Sequence, residues 1–274
     1  LKAEGDRTKA DIVLTVDISR IKELADTELL ASLGSDALNQ NVPAHLRDSN
    51  DKWTALSLRA RIIAVSKDRV GTEAITTIED LASPKWEGKV CSRKGSHVYN
   101  RALLASIIAH HGEEAAKKWT LGLVNNLARR PQGNDRAQAK AIYSGECDVA
   151  LMNTYYFGKM KFNNDKPEQK KWADAVELAF FNQNDRGQHV NISAAGIIKG
   201  SKKKNQARAF LEWLTSEEAQ QIYTEVNFEY PVNPRAKLSN EVASWGKFKM
   251  DSLSMNVIAD NSPIAQRIIN ETGW

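Results

Sequence analysis

The feature that most narrows the fold of this sequence is an alternation of short apolar runs with segments of helical spacing. Asp11-Ile-Val-Leu-Thr-Val16 is a continuous apolar run and reads as a strand buried on both faces. It stops at Asp17. Ile21, Leu24, Leu29 and Leu30 then share one side of a helix for which Asp17 or Ser19 is available as N-cap. A second strand is expected over residues 58–65, and residues 75–81 close at the turn signal Ser83-Pro84. Lys89-Val-Cys-Ser-Arg93 reads as a short strand; Gly95-Ser96 then opens a helix that carries Leu103, Leu104, Ile107 and Ile108 and stops at Gly112. A further helix runs through Ala115, Ala116 and Trp119. Asp135 is placed to cap the helix through Ile142, Gly145 to end it, and residues 148–152 follow as a strand. Strands at 176–181 and 190–198 precede helices over 205–215 and 217–226, which Tyr230-Pro-Val-Asn-Pro234 terminates. This order predicts an α/β fold with a parallel or mostly parallel sheet and helices on both faces.

With 274 residues the chain has room for two domains or lobes and for a sizeable core. Its 42% hydrophobic and 26% charged residues exclude collagenous and disordered classes. A net charge of +4 is too small to point to nucleic acid as a partner, and Lys202-Lys203-Lys204 reads as a solvated loop. The longest apolar stretch, residues 102–109, is far below the ~20 residues of a spanning helix, so a chain that is not membrane-spanning is expected. The sequence starts at Leu1 with no targeting features, and export cannot be read from it. Cys91 and Cys147 fit neither a zinc pattern nor a CxxC motif, which leaves open whether they are bonded.

No GxSxG, HExxH, GxxxxGK[ST] or GxGxxG motif is present. His110 and His111 fall at a helix end, where a solvated or dipole-complementing role suffices, and His45, His97 and His189 lack metal-ligand spacing. Met152-Asn-Thr-Tyr-Tyr-Phe-Gly158 is the sharper signal. Its adjacent tyrosines lie just beyond the carboxyl end of a strand, where open α/β sheets bind ligands. Tyr99 stands at the start of the helix after another strand. Cys91 precedes Tyr99 by eight residues and Cys147 precedes Tyr155 by eight, so if the two strands are neighbours a disulfide would tie the bases of both loops and three phenols would converge. Phenolate oxygen is a hard anionic donor suited to Fe³⁺, and tyrosine ligates iron in haem catalases. With an ordinary phenol pKa near 10, the metal itself must displace the protons. Ser92, Arg93, Gly95 and Ser96 lead into a helix N-terminus that suits an anion such as carbonate, with Arg93 or Arg101 supplying a guanidinium. The plainer reading is that Ser96 caps the helix and Arg93 pairs with a surface carboxylate.

The sequence resembles the periplasmic ferric-ion-binding proteins, the solute-binding components of bacterial iron ABC transporters, along essentially its whole length. The likeness is carried by Ala10-Asp-Ile-Val-Leu-Thr-Val-Asp17, Cys91-Ser-Arg-Lys-Gly-Ser-His-Val-Tyr-Asn100, Asn134-Asp-Arg-Ala-Gln138 and Gly145-Glu-Cys-Asp-Val-Ala150. It continues through Asn153-Thr-Tyr-Tyr-Phe-Gly-Lys-Met160, His189-Val-Asn-Ile-Ser-Ala-Ala-Gly196 and Asn227-Phe-Glu-Tyr-Pro-Val-Asn-Pro234. The resemblance implies that Tyr99, Tyr155 and Tyr156 bind Fe³⁺, with a small oxyanion such as carbonate, and that delivery is to an inner-membrane ABC permease from the periplasm. An exported protein also makes a Cys91–Cys147 disulfide expected.

The family's type II periplasmic-binding-protein architecture implies two α/β lobes joined by crossover strands, here near 58–65 and 190–195, closing on ligand. One lobe would be residues 1–63 with 193–248, the other 64–192 with the tyrosines, and 249–274 a C-terminal helical tail. The resemblance further implies a strand and helix ahead of Asp11, absent from this sequence, with a further iron ligand or anion-binding arginine. A monomer without catalysis is expected. The rival readings are another cargo on the same fold, a polyamine or an oxyanion, and an enzyme using Tyr99 or Tyr155 as general acid/base, for which no partner base is evident.

Overall fold

The computed structural model describes Leu1 and residues 3–274. In chain order its first elements are β1 (Ile12–Thr15), α1 (Ile18–Asp26), α2 (Asp36–Asn41), β2 (Thr54–Ser66), β3 (Val90–Cys91), α3 (Val98–His111) and α4 (Glu113–Asn125). Next come α5 (Asp135–Tyr143), β4 (Val149–Asn153), α6 (Thr154–Lys161), α7 (Glu168–Asp174), β5 (Val176–Ala179) and β6 (Val190–Ile197). The chain ends with α8 (Lys204–Leu214), α9 (Glu217–Ile222), α10 (Asn240–Ser244), α11 (Met255–Asp260) and α12 (Ser262–Thr272). It divides into two compact units, one of Leu1–Leu58, Asn191–Val242 and Leu253–Asp260, the other of Arg59–Val190, Ala243–Ser252 and Asn261–Trp274. The chain passes from one to the other within β2, at the start of β6, and three more times after Val242.

In the first unit β1 pairs antiparallel with β6, from Ile12 opposite Ile197 to Thr15 opposite Ala194. The sequence reading made this strand buried on both faces, yet Leu14 is 52% exposed. Among the described residues β1 ends the strand order, so its apolar side chains have a neighbouring strand on one side only. Leu33, Leu38, Leu56, Ala195, Ile197, Ala207 and Leu211 form the core. Asp17 does cap α1, one carboxylate oxygen accepting the Ser19 N–H while the other accepts Asn191 Nδ2 at 2.7 Å. The expected helix over 217–226 stops as α9 at Ile222 and continues as one π turn, Tyr223–Asn227.

In the second unit every residue of β2 beyond Leu58 is buried. The strand begins four residues ahead of its expected start. It pairs antiparallel with β4, Arg61 opposite Asn153, and with β5, Ile63 opposite Ala179, whereas β3 pairs parallel with β4. The expected mostly parallel sheet is therefore mixed. Between β2 and β3 the chain makes 3₁₀ turns, Thr72–Ala74, Ile78–Ala82 and Pro84–Trp86, rather than the helical crossover that a parallel connection uses.

Helix α12 packs on α3 and α4, and the final residue reaches the loop after β3. Gly95 donates its N–H to the Trp274 carbonyl at 3.1 Å, and a Cβ at Gly95 would come within 2.7 Å of the Trp274 ring and carbonyl. Gly145 ends α5 at φ 76°, with its own N–H bonded to Ile142 O and that of Glu146 to Ala141 O, a Schellman closure.

Cys91 and Cys147 are joined by a disulfide with Cα atoms 5.9 Å apart. In the chain-entropy account, closing a loop across a sequence separation of 56 is worth roughly 4 kcal/mol. The variant C91A/C147A should lose about that much in urea unfolding, and the denatured, unreduced wild type should show no free thiol. Two titratable thiols would refute the bond.

Candidate functional site

Arg59 and Arg61 stand two residues apart on the apolar strand β2 and are each 1% exposed. Period-two spacing puts both on one face. Arg61 Nη1 donates to Asp135 Oδ2 at 2.8 Å and to Asn153 Oδ1 at 3.0 Å, while Nη2 and Nε reach Asn100 Oδ1 at 2.6 and 3.0 Å. Asp135, fully buried, also accepts the Asn153 N–H at 2.8 Å and Arg93 Nη1 at 3.1 Å. Asn100 turns its amide nitrogen to Ser92 Oγ and the Arg93 carbonyl. One buried guanidinium–carboxylate pair thus holds the starts of α3 and α5 and the junction of β4 with α6.

The tyrosines project from the same places. Tyr99 is the second residue of α3, and Tyr155 and Tyr156 are the second and third of α6, so both groups sit at electropositive helix N-termini. Tyr99 Oη lies 3.2 Å from Tyr155 Oη, and the Tyr155 and Tyr156 rings stack with centroids 4.3 Å apart. The guanidinium carbons of Arg93, Arg59 and Arg61 lie 5.2, 5.7 and 5.9 Å from the Tyr99 ring centroid. Arg136 lies over Tyr156 at 4.9 Å and Lys159 over Tyr155 at 5.9 Å. Burial first, then the neighbouring phenols of Tyr99 and Tyr156, push the Tyr155 hydroxyl well above its ordinary value. A proton on that oxygen is displaced only by a group with strong affinity for phenolate.

The anion candidates are more scattered. Arg93 faces Tyr99 and donates to Asp135, a buried carboxylate rather than a surface one. Ser92 is fully buried, and its hydroxyl accepts from Asn100 and, at 3.2 Å, from Trp274 Nε1. Arg101 donates to Gln266 of α12. Ser96 lies in the exposed turn ahead of α3 and does not cap it; His97 does, its Nδ1 accepting the Tyr99 N–H at 3.3 Å with its ring edge-on to the tyrosine. Nor does Asp135 cap α5. Asn134 holds that position, because the buried guanidinium of Arg61 claims the Asp135 carboxylate.

His110 Nε2 meets Asp251 at 2.7 Å and His111 Nε2 meets Glu79 at 3.2 Å, ordinary polar roles. His189 is buried and neutral, its pKa pushed down to about 3 by burial and then by Arg61. Among the described residues no cluster of three His, Cys, Asp or Glu groups could hold a metal, which leaves the phenols as the concentrated donor set. Sequence reasoning missed Arg59, Arg61, Arg136 and Asn153. The first two carried a signal, since two arginines on one face of an apolar strand must be paid for by buried partners.

Residues 7–252 match the family described as bacterial extracellular solute-binding protein. Iron uptake protein A1 of Synechocystis sp. is 41% identical over 274 residues, covering 100% of this chain and 76% of that protein. A Trichodesmium protein (IdiA, FutA) solved in complex with iron and citrate ligands superposes with a TM-score of 0.97 at 41% identity, covering 100% of this chain and 86% of its own. The ferric iron-binding protein A of Mannheimia haemolytica, solved in an open conformation, gives 0.94 at 44% identity, with 99% and 85% covered. This chain belongs to the bacterial extracellular solute-binding protein family, on the branch that holds the periplasmic ferric-ion-binding proteins. The family's members are carriers that work with ABC permeases, not enzymes. Among the described residues no helix is long and apolar enough to cross a membrane.

Asp135→Asn would leave Arg61, 1% exposed, without its counter-charge. Removing one member of a buried pair costs about 3–5 kcal/mol. Urea unfolding of D135N should show a loss of that order, and a change inside about 1 kcal/mol would mean that the pair does not organise these loops.

Proposed function

We propose that this protein captures Fe³⁺ in the periplasm through the phenolates of Tyr99, Tyr155 and Tyr156 and delivers it to an ABC permease. The observation that carries the reading is the 3.2 Å approach of Tyr99 Oη to Tyr155 Oη with Tyr156 stacked alongside. Three hard oxygen donors from helix N-termini suit a hard trivalent ion and leave softer divalent metals without their preferred His and Cys ligands. The relatives support the same cargo, one being named for iron uptake and another solved with iron and citrate. Here iron is the cargo. A small oxyanion such as carbonate would complete the shell on the cationic side of Tyr99, where Arg59 and Arg93 stand.

Ferric phenolate absorbs visible light, so titrating ferric citrate into the protein should raise a visible band that each of Y99F, Y155F and Y156F diminishes. An undiminished band in all three would sink the ligand set. Each phenol must lose its proton to bind, and burial makes the Tyr155 proton harder to remove. Protons therefore compete with iron, and affinity falls as pH falls, by up to ~3 decades per pH unit if all three phenols ionise on binding. Competition with a chelator of known proton dependence across pH 5.5–8 measures the slope; a flat profile would exclude phenolate ligation.

A further inference from the structure

The second unit has an open surface groove of ≈ 490 Å³ between α5, the loop after α6, and α7. Arg136, Lys140 and Lys166 line it against a single carboxylate, Asp165, and Trp172 forms one wall. None of the three cations makes a salt bridge among the described residues, whereas the partly buried Arg129 and Arg186 are each paired with a carboxylate. Arg136 is half-buried, and its Nε is enclosed without a hydrogen-bond partner. Lys140 Nζ lies 5.5 Å from the centre of the Trp172 ring. Asn163 Oδ1 accepts the N–H groups of Asp165 and Lys166 at 3.1 and 3.0 Å, which fixes the loop that presents Lys166.

We propose that this groove is a binding site for a small di- or tricarboxylate. Its volume lies in the range of small-molecule sites and is generous for a lone oxyanion. Three separated cations call for several anionic groups on one skeleton, and Trp172 offers that skeleton an apolar wall. The planar fork of Arg136 matches a carboxylate edge, with the two lysines acting as point charges. Arg136 belongs to two settings at once, since it lines the groove and lies over the ring of Tyr156. Occupancy would therefore be felt at the tyrosine cluster. The site is separate from the anion proposed beside Tyr99 and does not depend on that reading.

Calorimetric titration of the iron-free chain with citrate, and separately with inorganic phosphate, tests the proposal. One citrate should bind per chain, about tenfold more tightly than phosphate, and R136Q/K140Q should weaken it by about tenfold or more. Arg136→Lys should restore part of the affinity in the K140Q background, and Tyr155→Phe should leave citrate binding in place. Thermal melting confirms that each variant is folded. Absence of citrate binding, indifference to R136Q/K140Q, or phosphate binding as tight as citrate would overturn the assignment. Loss of citrate binding in Y155F would place the anion at the phenols and overturn it equally.

Discussion

The ion pair of Arg61 with Asp135 is the interaction on which the candidate site depends. Two charges this deeply buried, 1% and 0% exposed, carry a large desolvation penalty that attraction between them alone need not repay. What makes the pair tenable is that its remaining polar valences are filled. The guanidinium also serves Asn100 and Asn153, and the carboxylate also takes the Asn153 N–H and Arg93. Its partners are the residues next in chain to Tyr99 and two before Tyr155. A pair whose own polar atoms must be filled to be tolerated therefore also fixes where the phenols emerge.

Charge balance around Tyr99 follows from the same network. Arg59, Arg61 and Arg93 surround the ring, and Asp135 answers two of them. Three phenolates around a trivalent ion would be neutral as a group, so the proposed cargo would leave the net charge beside these guanidiniums unchanged.

Much of the second unit could be read from sequence because its elements are short, strongly periodic and marked at their ends. Gly112 and Gly145 stop their helices, and the strand at 148–152 lies within a residue of β4, as in the first unit the strand at 190–198 does of β6. What was illegible was pairing direction and context. An apolar run such as 11–16 does not say whether neighbours lie on one side or two. The tyrosines were legible as residues that follow strands, but Arg59 and Arg61, which face Tyr99, come from β2, far away in sequence. Ser92 and Ser96 illustrate the converse error, where a plausible local motif was assigned to a ligand although one hydroxyl is buried under Trp274 and the other stands in an exposed turn.

The spacing that first drew Tyr99 and Tyr155 together works for a different reason from the one it suggests. Equal separations of eight from Cys91 and Cys147 imply that the two cysteines occupy one level of neighbouring strands. In the ladder, however, Cys91 lies opposite Ala150, not Cys147. Counted from that level, Tyr99 is eight residues on and Tyr155 only five, so the first connection is three residues longer. The extra length falls within the turn of Arg93, Lys94, Gly95, Ser96 and His97, whereas Asn153 leads directly into α6. That longer turn carries the guanidinium facing Tyr99, the glycine against which Trp274 packs and the histidine that caps α3. These contacts hold the longer connection ahead of Tyr99, whose phenolic oxygen lies 3.2 Å from that of Tyr155. Hence a change at Gly95 or Trp274, remote from any phenol, acts on the height at which Tyr99 is presented.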